Sequence, residues 1–167
     1  MPASIHPWFS FTPGTFSIII APGPIICEAL NTLLTRHQGR VLYLCGNYPQ
    51  VLPGITADSD RFKVRRALTA YQMLSILEEI EEPLTLFEHD RGLYDDNSDL
   101  IIPVGERCRQ RAAERGSIVL FALIPDIWLS QIEPYANRVA CAITPHKIQT
   151  RIKNKVTSKQ QTLDIRS

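Results

Sequence analysis

Short uninterrupted apolar runs alternate along this chain with stretches of helical periodicity, and the alternation sets the elements. Residues 16–20 (Phe-Ser-Ile-Ile-Ile) are continuous and β-branched, as a strand covered on both faces requires, whereas Ile26, Leu30, Leu33 and Leu34 recur as one face of a helix. Pro22-Gly23-Pro24 turns the chain between them; Pro24 suits the first helical turn and Gly39 stops the helix. A second buried strand follows at 40–45, then a long loop at 46–61 rich in Pro, Gly and Asp, and a short strand at 62–66. Thr69 and Gln72 form a capping box for a helix to about Glu81, with Ala70, Met73, Leu74, Leu77 and Ile80 as its buried stripe. Further strands are predicted at 84–90, 118–124 and 138–143. Between them lie a helix capped by Asn97, Ser98 or Asp99 that runs to about Arg115, and another from its N-cap Asp126 to Tyr135. Residues 1–13, with Trp8, Phe9 and Phe11 between prolines, are read as packing across the sheet rather than as helix. Regular strand–helix alternation implies an α/β fold with a mostly parallel sheet and right-handed crossovers.

With 167 residues, 44% of them apolar, and a net charge of +1, the chain fits one globular domain with a substantial core. No 18-residue apolar run suggests a membrane span, and no secretory signal pattern is visible, so a cytoplasmic location is expected. Cys27, Cys45, Cys108 and Cys141 are widely spaced and read as buried thiols rather than a metal set. The small net charge conceals an asymmetry. From His146 onward six Lys/Arg face one acid, Asp164, so residues 146–167 carry +5 and residues 1–145 carry −4. The chain is therefore divided into a domain at 1–145 and a basic C-terminal extension at 146–167. Lys147, Arg151, Lys153, Lys155 and Lys159 are the candidate nucleic-acid-binding residues. Alternatives for this segment are an edge strand whose lysines discourage aggregation, or a tail folded onto the acidic body.

Three places carry candidate chemistry. The strand–turn–helix at 16–34 is the kind of junction that aims N–H groups and a helix dipole at an anion. A phosphate loop of the form G-x-x-x-x-G-K-[ST] is nevertheless not completed: after Gly23, the positions of its second glycine, lysine and hydroxyl hold Glu28, Ala29 and Leu30. Pro22, Gly23, Pro24 and Glu28 thus form either a degenerate nucleotide loop or a purely structural turn. Glu88, His89 and Asp90 end a buried strand where open α/β sheets place their ligand crevice, and are expected to face the turn at residues 22–24. They are candidates for a metal or ligand site, with Asp95 and Asp96 nearby, or for a polar strand end that caps the next turn. Glu78, Glu79, Glu81 and Glu82 read as a solvated face, as does the helical row Arg107, Arg111 and Arg115.

Residues 16–30, 41–47, 65–74 (Arg-Arg-Ala-Leu-Thr-Ala-Tyr-Gln-Met-Leu), 84–90 and 117–143 follow the order of a RecA-like ATPase core, and the chain resembles archaeal RadA-type recombinases and their shorter paralogues. The resemblance implies a three-layer αβα domain in which 16–34 corresponds to the Walker A segment. The Walker A lysine and hydroxyl then map near Glu28 and Ala29, the water-activating acid near Asn47, and the Walker B acid near Glu88. Only Glu88 keeps suitable chemistry, so ATP and magnesium binding should be weak or absent, hydrolysis negligible, and no cofactor is expected. What the resemblance implies instead is a catalytically degenerate accessory module in DNA repair or recombination, with DNA, a recombinase subunit or a second copy as partner. The competing expectation from the residues is a metal-dependent phosphoester hydrolase built on Glu88, His89 and Asp90.

Overall fold

A computed structural model describes residues 3–6, 9–58, 60–144, 147–152 and 161–166, with side chains for 9–58 and 60–142. Among the described residues, ten strands and four α-helices follow in chain order. They are β1 (Ala3–His6), β2 (Phe9–Phe11), β3 (Phe16–Ile20), α1 (Gly23–Arg36), β4 (Val41–Cys45), β5 (Phe62–Arg66), α2 (Ala70–Glu79) and β6 (Leu84–Glu88), then α3 (Ile101–Glu114), β7 (Ser117–Ala122), α4 (Ile127–Ile132), β8 (Arg138–Thr144), β9 (Lys147–Ile152) and β10 (Gln161–Arg166). Single turns of tighter helix at Leu52–Gly54, Arg91–Leu93, Ser98–Leu100 and Glu133–Tyr135 complete the connections.

The sheet runs β10-β9-β8-β3-β7-β6-β4-β5. From β8 to β5 all six strands are parallel, and the central strands β3, β7, β6 and β4 are buried along their whole length, whereas the edge strand β5 is half exposed. Alternation along each strand divides the core in two. Ile18, Leu42, Phe87, Leu120 and Val139 pack with the buried stripes of α2, α3 and α4 on one face. On the other, Ile19, Tyr43, Leu86, Val119 and Phe121 pack against Ile26, Leu30 and Leu33 of α1, together with Val51 from the long loop and Phe9 from β2. Each such fully buried apolar side chain contributes about 1.5–3 kcal/mol relative to exposure, so both helical layers are held from within. The result is a three-layer α/β/α arrangement.

Several boundaries move from the periodicity-based reading. Helix α2 stops at Glu79 because the chain must extend into β6, which begins at Leu84 with only three residues between it and Ile80, and Ile80 stays buried as the helix cap. Strand β7 is 117–122, so Leu123 and Ile124 leave the sheet and Ile124 is exposed. Thr69 accepts a hydrogen bond from Gln72 N–H, and Gln72 Oε1 reaches back to Leu68 N–H, one residue before the box position. The N-terminal segment forms the antiparallel hairpin β1–β2, which Arg138 ties to the main sheet through Ser10 O at 2.9 Å. Downstream of β8, residues 147–152 and 161–166 continue the same sheet as antiparallel strands β9 and β10. Lys147 and Arg151 lie on β9; Lys153, Lys155 and Lys159 lie outside the described residues.

Candidate functional site

The connection after β4 leaves on the α1 face of the sheet, whereas β6 and β7 are followed by α3 and α4 on the opposite face. Where neighbouring strands send their connections to opposite faces, the carboxyl ends part into a crevice. A cleft of about 320 Å³ opens there, between loop 46–51, the end of β6, and the end of β7 with the residues that follow it to Asp126.

Glu88 sits at its floor, 7% exposed. Strand register pairs it with Phe121 of β7, and alternation puts it on the face of Leu86, whose partner on β4 is Tyr43. Its carboxylate accepts hydrogen bonds from the Tyr43 hydroxyl, from Gln50 N–H at 2.6 Å and from Val51 N–H at 3.1 Å. Burial, reinforced by the Glu88 carboxylate, pushes the Tyr43 phenol far up, so it remains a donor. This arrangement fastens the start of the long loop to the middle of the sheet.

His89 points to the other face, as strand alternation requires. Its side chain is 4% exposed, its Nε2 lies 2.7 Å from Asp126 Oδ2, and its ring stacks on buried Tyr94 at 6.1 Å between centroids. Asp126 also caps α4, accepting from Leu129 N–H at 2.8 Å. Burial acts to raise the Asp126 carboxyl, but the bonds from His89 and Leu129 N–H outweigh it and leave the group below its ordinary value. Asp90 caps the turn at Arg91–Leu93 by accepting from Gly92 N–H at 3.0 Å. It also lies so close to Gly46 that a methyl there would run into its carboxylate.

The three consecutive residues singled out by the sequence therefore share the cleft lining but are committed to three different elements. Among the described residues no group of three His, Cys, Asp or Glu side chains could hold a metal ion. Contrary to expectation, Pro22, Gly23 and Pro24 do not line the cleft; Gly23 backs onto Leu123 instead. Only Ala21 and Pro22 separate β3 from α1. Pro22 and Pro24 have no N–H, and the amides of Ile25 and Ile26 both donate to Pro22 O, so Gly23 alone among the first helical residues offers an amide to a ligand. Glu28 is exposed on the second turn of α1, and Asn47 is exposed in the loop. On α3, Arg107 pairs with Glu78 at 3.0 Å and Arg111 reaches the Glu78 carbonyl, so the arginine row bridges α3 to α2.

Tyr43, Gln50, Val51 and Asp126 are the site residues that periodicity did not single out as functional. Counting alternate residues along two parallel strands would have put Tyr43 on the face of Glu88, but only the register shows them adjacent. No protein-family model matches the chain. Over 83 residues, half of this chain, it is 34% identical to an uncharacterized protein of Archaeoglobus fulgidus; the match spans 41% of that relative's length.

Proposed function

We propose that this chain is a catalytically degenerate RecA-like module that acts by binding, with DNA as its main partner and a recombinase subunit as the protein partner the resemblance implies, in DNA repair or recombination. The two-residue junction between β3 and α1 is the observation that carries the non-catalytic part. A phosphate cradle needs several free amides and a cation; this junction supplies one amide, two prolines and, one turn on, the acid Glu28. The acid that would hold magnesium, Glu88, is occupied by Tyr43 and two loop amides. DNA binding is supported by the +5 charge of residues 146–167, of which Lys147 and Arg151 lie on strand β9. The hydrolase alternative has no three-ligand cluster to rest on among the described residues.

The test is fluorescence anisotropy with labelled single- and double-stranded DNA across a salt series, beside a phosphate-release assay with ATP. DNA affinity should fall steeply with salt, Lys147→Glu and Arg151→Glu should each reduce the log–log slope by about one, and ATP turnover should equal the buffer blank. Loss of DNA retention at low salt in the natural protein, or ATP turnover that Glu88→Gln abolishes, would overturn the proposal.

A further inference from the structure

We propose that one face of the β9–β10 ribbon is the surface that takes DNA, that it takes a duplex backbone rather than a single strand, and that Arg166 and Asp164 set its strength together with Lys147 and Arg151. The inference rests on the proposed DNA binding and adds where, and in which form, DNA is held. Residues directly opposite one another in antiparallel strands share a face. Ala140 and Ala142 of β8 belong to the α1-side core and pair with Thr150 and Ile148 of β9. Val139 and Cys141 pack with the other core and pair with Arg151 and Gln149. Carried across to β10, the register places Ile165, Leu163 and Gln161 on the α1 side, opposite Ile148, Thr150 and Ile152. It places Arg166, Asp164 and Thr162 on the other side, opposite Lys147, Gln149 and Arg151.

The ribbon is therefore two-faced. Its α1 side continues an apolar layer and offers nothing to a phosphate, whereas its other side gathers every cation of the two strands. Arg166 stands directly opposite Lys147, and Arg151 lies four residues along the same strand, so the three cations occupy a patch of about 13 Å by 5 Å. Asp164 falls within that patch and cancels part of its charge. Residues 1–145 carry −4 and repel a polyanion, which confines its approach to the ribbon. Residues 146–167 contain no Phe, Tyr or Trp, so the ribbon has no platform on which unpaired bases could stack. What remains is phosphate recognition by charge, and a duplex, with two backbones, presents the denser array of phosphates.

Fluorescence anisotropy of the full chain with a labelled duplex, and with one of its strands alone, tests this across a salt series. The duplex should bind about threefold or more tightly than the strand, and Arg166→Gln should lower the log–log salt slope by about one. Asp164→Asn should raise duplex affinity about threefold or more at low salt. The decisive pair is Gln149→Lys and Gln161→Lys, which add the same charge on opposite faces. The first should raise the slope by about one and the second should leave it unchanged, whereas in an extended solvated arm both would count alike. A gain of affinity with a natural circular dichroism spectrum does not come from misfolding, so Gln149→Lys and Asp164→Asn keep the test decisive even where Arg166→Gln disturbs its strand. Equal slopes for the two lysine variants, an Arg166→Gln slope like that of the natural protein, or tighter binding of the single strand would overturn this inference and leave DNA binding standing. Failure of the natural protein to retain either DNA at low salt would overturn both.

Discussion

The Glu88 carboxylate is held almost out of water, and three donors keep it there. Removing one of them isolates its contribution without altering shape: Tyr43→Phe leaves the ring contacts with Phe62 and Phe121 in place but deprives a buried anion of a hydroxyl. A loss of about 1–3 kcal/mol in unfolding free energy is expected, read from the urea midpoint at pH 7. Asp126 makes a different, pH-dependent contribution. Its folded-state pKa lies below the ordinary 3.8, so it adds stability that is fully present above that value and is lost as pH falls through the depressed one. Urea midpoints should therefore decline from pH 5 to pH 3 in the natural protein. In Asp126→Asn the decline should be shallower, from a lower starting point, because the amide is neutral throughout and holds the His89 ring less firmly. A steeper decline in the variant would contradict the assignment.

At the scale of elements, the strand–turn–helix from β3 to α1 was legible as a shape and misleading as a site. Continuous apolar residues in 16–20 and the stripe Ile26, Leu30, Leu33 announce both elements, because burial on both faces and on one face leave different periods. What the pattern could not show was where the ligand crevice opens. That depends on which neighbour each strand takes and which face each connection follows, both long-range properties. Glu88, His89 and Asp90 were visible as a polar strand end, but not their separate commitments to Tyr43, Asp126 and Gly92. Those follow from strand alternation combined with register. The same reasoning predicts the outcome of repairing the junction by chemistry alone. Glu28→Lys with Ala29→Thr restores the cation and hydroxyl but not the loop, since Ala21 and Pro22 still leave one amide to meet a phosphate. Equilibrium dialysis with ATP and magnesium should show no gain in binding over the natural protein. A gain of tenfold or more would mean that charge, not backbone, was the missing part.

Over the whole molecule, charge composition separated residues 146–167 from the body, while the backbone joins their described strands to it. Strand β9 pairs along β8 from Thr144↔Lys147 to Arg138↔Ile152, and β10 pairs along β9 in turn. The sequence signal for pairing was weak here because cations interrupt the apolar alternation, and a charge run reads first as a solvated tail. The consequence is experimental. Ending the chain at residue 145 would not simply remove a binding arm; it would uncover β8, a strand whose Ala140 and Ala142 lie in the α1-face core and whose Val139 lies in the other. An uncovered, largely apolar strand of seven residues is a template for pairing between copies. The truncated chain should lose several degrees in Tm and elute as aggregate in size-exclusion chromatography. Lys147→Glu with Arg151→Glu, by contrast, should keep the natural elution volume and Tm within a degree or two while losing salt-sensitive DNA affinity. If the truncated chain instead stays monomeric with an unchanged Tm, β9 and β10 contribute nothing to the stability of the sheet, and residues 146–167 are the independent extension that charge alone suggests.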